Sequence, residues 1–137
     1  MPIDEDGYTW IVGQDRYTLG EYSWDVPMGA SEPGEAPVET AHRERREESG
    51  LTACEITQVM RLHTSNSVTD EEGFVFVATG LSEGETEFDE MEVLDVRRLP
   101  LADVVAMIER GEMTDAISVA AILRIACDQS TSRADTT

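Results

Sequence analysis

The sequence predicts an α/β domain whose sheet is covered by helices on both faces, and three observations predict it. The chain has 137 residues, the length of one ordinary domain with one core. Stretches with an apolar residue at every second position alternate with stretches of helical period. Strands interleaved with helices in this way bury their apolar surfaces best as a sheet between helical layers.

The elements follow in order. Tyr8–Val12, Arg16–Leu19 and Tyr22–Val26 read as short strands, with turns at Gly13-Gln14 and Gly20. The run Pro27-Met28-Gly29-Ala30-Ser31-Glu32-Pro33-Gly34 holds too many breakers for regular structure and reads as a loop. Pro37 suits the first turn of a helix and Gly50 the residue past its end, which frames a helix over Pro37–Ser49. Strands at Glu55–His63 and Gly73–Thr79 are joined by the polar segment Thr64–Glu72. The acidic stretch Ser82–Glu90 leads to a strand at Met91–Arg97. Two helices close the chain, Leu101–Arg110 and Thr114–Cys127, the second opened by Thr114-Asp115 as a cap. The polar tail lacks large apolar residues and is expected to be disordered. One domain over residues 1–128 and a disordered tail over 129–137 result.

Charge narrows the function. Asp and Glu number 29 against 10 basic residues, all Arg, for a net charge of −19. Such a field repels nucleic acid and anionic membranes, so neither is an expected partner. No apolar run approaches the roughly 20 residues of a membrane span, and Met1-Pro2-Ile3-Asp4-Glu5-Asp6-Gly7 lacks the features of a signal peptide. Cys54 and Cys127 make no disulfide framework and are read as packing residues in a reducing cytoplasm. The Lys-free acidity fits a saline cytoplasm and a bias toward Arg codons equally well.

The helix at Pro37–Ser49 breaks a local rule. Glu44, Glu47 and Glu48 stand at i, i+3 and i+4, so their carboxylates share one face. Two of them occupy the last turn, where the helix dipole favours cations. A divalent cation would offset both penalties, and an all-oxygen site with room for water and phosphate suits magnesium. A solvated acidic face is the bland alternative in a chain with this much Glu. His42 and His63 read as structural residues.

Flanking residues favour the metal. Gly29, Glu35 and the run Arg43-Glu44-Arg45-Arg46-Glu47-Glu48-Ser49-Gly50-Leu51 resemble the Nudix box, G-x5-E-x7-R-E-U-x-E-E-x-G-U. Arg45 departs from the pattern, standing where the family has an apolar residue. The segments Gln14-Asp15-Arg16, Trp24-Asp25-Val26-Pro27-Met28-Gly29, Thr69-Asp70-Glu71 and Glu109–Ala116 resemble the ADP-ribose and nucleotide-sugar diphosphatase branch.

The resemblance implies a Nudix α/β/α sandwich with a mixed sheet and a loop–helix–loop active site. It also implies an enzyme that cleaves the diphosphate of ADP-ribose or a nucleotide sugar to a nucleoside monophosphate and a sugar phosphate. Magnesium or manganese would be held by Glu44, Glu48 and Glu47, with the carbonyl of Met28 completing the shell. Glu71 would be the general base, with Asp70 and Glu72 as close alternatives, and Glu47 and Arg43 would also belong to the catalytic set. Arg43, which cannot be a ligand, is read as a clamp on Glu35 or another carboxylate. Gly29, Glu35 and Gly50 would be structural parts of the box. Arg16 is open to a substrate phosphate or an acidic neighbour, and Trp24 to a base or the core.

Asn66 stands where that branch carries a proline, and the tyrosine of the dinucleoside-polyphosphate branch is missing from Ser67-Val68-Thr69. The chain also starts close to the first Nudix strand, where that branch begins with a small β-domain. A pyrophosphatase of modified nucleoside triphosphates and a noncatalytic nucleotide-sensing module therefore stay open, as does a homodimer.

Overall fold

In a computed structural model, the structure describes residues 1–16, 20–28, 34–49, 51–83 and 95–135. Five strands and three helices follow in the order β1 (Tyr8–Arg16), β2 (Glu21–Asp25), α1 (Pro37–Ser49), β3 (Leu51–His63), β4 (Glu72–Glu83), β5 (Asp95–Pro100), α2 (Leu101–Glu109) and α3 (Ala116–Asp135). The α/β/α expectation holds: α1 packs on β3, β1 and β4, while α2 and α3 pack together and reach β5 and β4.

The strands form two antiparallel sheets, β2–β1–β5 and β3–β4. The single sheet expected from the sequence is instead joined through the N-terminal segment, where Pro2 bridges Ala78 in parallel and Ile3 bridges Thr9 antiparallel. Ile3 N–H donates to the Ala78 carbonyl at 3.0 Å and Ala78 N–H to the Met1 carbonyl at 2.9 Å. Pro2 thus occupies a position where the ladder asks nothing of its missing N–H. That bridge supplies the parallel pairing of the described residues.

Gly13-Gln14 is not a turn. β1 runs through it in register, with Gly13 opposite both Trp24 and Asp95. A Cβ on Gly13 would lie 2.6 Å from Tyr22 Oη and 2.7 Å from Trp24 Cζ3. The glycine is there to admit two aromatic rings from the next strand. The expected strand Arg16–Leu19 therefore loses its separate start, and residues 17–19 lie outside the described residues. β3 and β4 extend beyond their expected ends, with an irregularity between Gln58 and Met60. There the Val59 carbonyl accepts from Arg124 Nη1 at 2.9 Å. Of the expected strand Met91–Arg97, residues 91–94 lie outside the described residues.

The core is built from Ile11, Val26, Val75, Leu101, Val104, Met107, Met113, Ala121, Ile122 and Ile125. Burying apolar side chains of this size stabilises by about 1.5–3 kcal/mol each before entropy is counted. Asp115 caps α3 as expected, its Oδ2 accepting from Ser118 N–H at 3.0 Å. The tail departs from expectation. α3 continues through residues 129–135 instead of ending at Cys127, and Ser130 and Thr131 return their hydroxyls to the carbonyls of Ala126 and Cys127. Residues 136 and 137 lie outside the described residues. Cys54 and Cys127 are both free and exposed, which corrects the reading of them as packing residues. No helix of the described residues is long and apolar enough to cross a membrane.

Candidate active site

The loop before α1 and the helix itself are bound through one carboxylate. Glu35 Oε1 accepts from Thr40 Oγ1 at 2.7 Å and from Arg43 Nη2 at 3.1 Å, and Glu35 Oε2 accepts from Arg43 Nε at 3.0 Å. This is the bidentate clamp expected of Arg43. The same guanidinium donates through Nη1 to Glu44 Oε1 at 2.7 Å, which orients the neighbouring carboxylate. The pairing with Glu35, and then with Glu44, raises the affinity of Arg43 for its proton despite partial burial. Planar, always-charged Arg suits this fork where Lys would not. Thr40 is a residue that the sequence pattern did not single out. Its position three and four residues before Arg43 and Glu44 was the available signal, since such spacing shares a helix face.

A cavity of about 560 Å³ opens beside this clamp. Glu44 enters it from α1, Met28 from the segment after β2, and Glu71 and Glu72 from the start of β4. Ile56, Phe74, Phe76 and Ile117 give it an apolar wall. Segments far apart in sequence therefore bring Glu44, Met28, Glu71 and Glu72 to one cavity.

The three acidic residues before β4 differ in their surroundings. Glu72 is ion-paired with Arg61 across the β3–β4 ladder. That bond, against a smaller effect of burial, holds its carboxyl below the usual range. Asp70 is exposed and is not among the described residues lining the cavity. Glu71 lines it, and its N–H donates to Thr69 Oγ1 at 3.2 Å while its carbonyl accepts from Thr64 N–H at 3.4 Å. Those bonds close the loop around the residue.

Other expectations meet the structure unevenly. The helix backbone sets positions 44, 47 and 48 on one face. The side chains of Glu47, Glu48, Arg45 and Arg16, and the residues Gly29 and Gly50, lie outside the described residues. Among the described residues no group of three His, Cys, Asp or Glu is placed to hold a metal. The carboxylates of Glu44 and Glu71 at one cavity nevertheless offer the oxygen chemistry that fits a hard divalent cation. Trp24 is packed against the core, with Tyr22 edge-on at a centroid distance of 5.3 Å and the Arg97 guanidinium 4.8 Å over its ring. It is not among the described residues lining the cavity, and neither are His42 and His63.

An α/β/α fold that brings an acidic helix and an acidic inter-strand loop to one cavity defines a class, and family comparison names it. Residues 2–121 match the NUDIX domain, and the chain belongs to that family. It is 36% identical over 124 residues to an ADP-ribose pyrophosphatase of Bacillus subtilis (strain 168), covering 89% of this chain and 67% of that one. An ADP-ribose pyrophosphatase of Mycobacterium tuberculosis (strain ATCC 25618 / H37Rv) is 35% identical over 128 residues, covering 91% of this chain and 62% of that one. The chain thus spans about two thirds of the length of these relatives. A crystal structure of an ADP compounds hydrolase superposes with a TM-score of 0.83 at 26% identity, over 96% of this chain and 72% of the other.

Proposed function

We propose that this Nudix enzyme hydrolyses the diphosphate of ADP-ribose or a nucleotide sugar to a nucleoside monophosphate and a sugar phosphate. The convergence of Glu44, Met28 and Glu71 on one cavity carries the reading. The 35% and 36% identity to proteins named ADP-ribose pyrophosphatase supports the substrate class.

The residues divide the work. Glu44, Glu47 and Glu48, with the Met28 carbonyl, hold magnesium or manganese. When bound, that ion supplies neutralising charge for phosphoryl oxygens and lowers the pKa of a water. Without such charge a chain of net −19 would repel an anionic substrate. Glu71 takes one proton from the attacking water as its oxygen bonds to phosphorus and the anhydride P–O bond breaks. Arg43 and Glu35 keep Glu44 aimed at the cavity without touching substrate. Arg16 meets substrate phosphate, while Trp24, packed against the core, takes the structural one of its two roles. Gly29 and Gly50 close the two ends of the box. Free, exposed cysteines suit a reducing cytoplasm.

Product analysis on a panel of nucleotides tests the reading. AMP plus ribose phosphate from ADP-ribose, or the corresponding pair from a nucleotide sugar, supports it. A monophosphate plus pyrophosphate from a triphosphate, or no turnover at all, overturns it. Glu48→Gln is expected to lower turnover by orders of magnitude with circular dichroism unchanged, and near-normal turnover would remove the metal assignment. Light scattering reads whether the enzyme works as a homodimer.

A further inference from the structure

The first turn of α3 lies outside the box, yet it grips a wall of the cavity. Ser118 is fully buried. Its Oγ accepts from Val26 N–H at 3.1 Å and donates to Asp115 Oδ2 at 3.0 Å. Asp115 Oδ2 also accepts from Ser118 N–H at 3.0 Å, so the hydroxyl rotor is held by the helix cap itself. Val26 opens the segment Val26-Pro27-Met28, all three residues of which line the cavity. Pro27 locks its own φ and confines Val26 to extended conformations. The anchor at Val26 and the proline after it thus narrow the conformations open to the segment that carries the Met28 carbonyl.

The same turn meets the opposite wall. Ile117 lines the cavity, and a Cβ on Gly73 would lie 2.9 Å from Ile117 Cδ1. Gly73 follows Glu71 by two residues in the chain, so the absence of its side chain lets the helix approach the base-bearing strand closely.

We infer that Ser118 is a positioning residue: its buried hydroxyl, set by Asp115, fixes the Val26–Met28 segment and so the backbone oxygen that Met28 offers to the metal. The inference rests on the metal reading proposed above. Removing the hydroxyl leaves the buried Val26 N–H without its acceptor, and the segment relaxes toward another acceptor or water.

Manganese binding without substrate, followed by electron paramagnetic resonance of the free ion, tests it on the full chain. Ser118→Ala is expected to weaken manganese binding about tenfold relative to the parent enzyme. Asp115→Asn keeps an N-cap but replaces the carboxylate that sets the hydroxyl, and a several-fold weakening is expected. Val104→Ala removes core volume from α2, which contributes none of the described residues lining the cavity, so it is expected to lower the melting temperature and leave manganese affinity unchanged. Parent-like affinity in Ser118→Ala overturns the inference, and in Asp115→Asn does so if the alanine variant does not fold. Equal weakening in Val104→Ala overturns it too, as a general effect of instability. Glu44→Gln separates the two readings. If it binds manganese like the parent, the metal site itself is wrong; if it loses the ion while Ser118→Ala keeps it, only the role of Ser118 falls.

Discussion

Arg43 holds Glu35 through two nitrogens, Nε at 3.0 Å and Nη2 at 3.1 Å, while its third nitrogen reaches Glu44 at 2.7 Å. One guanidinium therefore ties the loop before α1 to the helix and fixes the direction of a carboxylate that lines the cavity. The side chains of Arg43 and Glu35 are 22% and 16% exposed, so the fork is partly shielded from water and from salt.

Arg43→Lys keeps the charge and loses the fork. Turnover is expected to fall roughly 10–100-fold, as for other changes behind a ligand. Steady-state kinetics at saturating metal measures it. Turnover within twofold of the parent would mean that Glu44 needs no orientation from Arg43.

Glu71→Gln and Glu72→Gln separate the base from its neighbour. The first is expected to lower turnover roughly 10²–10⁴-fold with manganese affinity retained. Glu72 is committed to Arg61 at a half-exposed site, and its substitution is expected to change turnover less than tenfold. Kinetics and metal titration on both variants decide; the reverse order would move the base to Glu72.

Acid sensitivity has an identifiable contributor in Asp4. Burial alone would raise its pKa, but the N–H groups of Tyr8 and Asp6 and the Arg98 guanidinium together lower it. A lowered folded-state pKa means stability that is present above the unfolded value, near 3.9, and lost as pH falls through the folded one. Asp4→Asn is therefore expected to cost about 1 kcal/mol at neutral pH, with the gap from the parent closing below about pH 4. Urea midpoints across pH check this. A gap independent of pH would assign the loss to packing.

Gly13→Ala tests the room made for two rings. A methyl group there meets Tyr22 and Trp24 at 2.6–2.7 Å, so the aromatic pair must move. A loss of about 1–3 kcal/mol is expected from urea unfolding, with a shift in tryptophan emission. An unchanged midpoint would show that β2 yields freely.

The box helix is legible in the chain alone because its signals are local. Pro37 and Gly50 frame it, and the Glu35–Arg43 clamp spans only the loop and two turns. Asp115 as the cap of α3 is legible for the same reason. What cannot be read this way depends on partners distant in the chain. Gly13 looks like a turn until Tyr22 and Trp24 are seen leaning over it. Pro2 looks unfit for a ladder until Ala78 is found bonding to the residues on either side of it. Asp70, Glu71 and Glu72 are equivalent in a string and become distinct once Glu71 and Glu72, but not Asp70, line the cavity and Arg61 pairs with Glu72.

The sequence by itself determined the secondary elements of the box, the family and the shared helix face of positions 44, 47 and 48, since spacing along a helix is set by backbone geometry alone. Only the tertiary structure decided that Glu71 and Glu72 line the cavity with Glu44, that Arg61 pairs with Glu72, and what holds the Val26–Met28 segment there. The Val26–Ser118 bond joins residues 92 apart, and no local propensity encodes a contact formed by packing a last helix against an early strand.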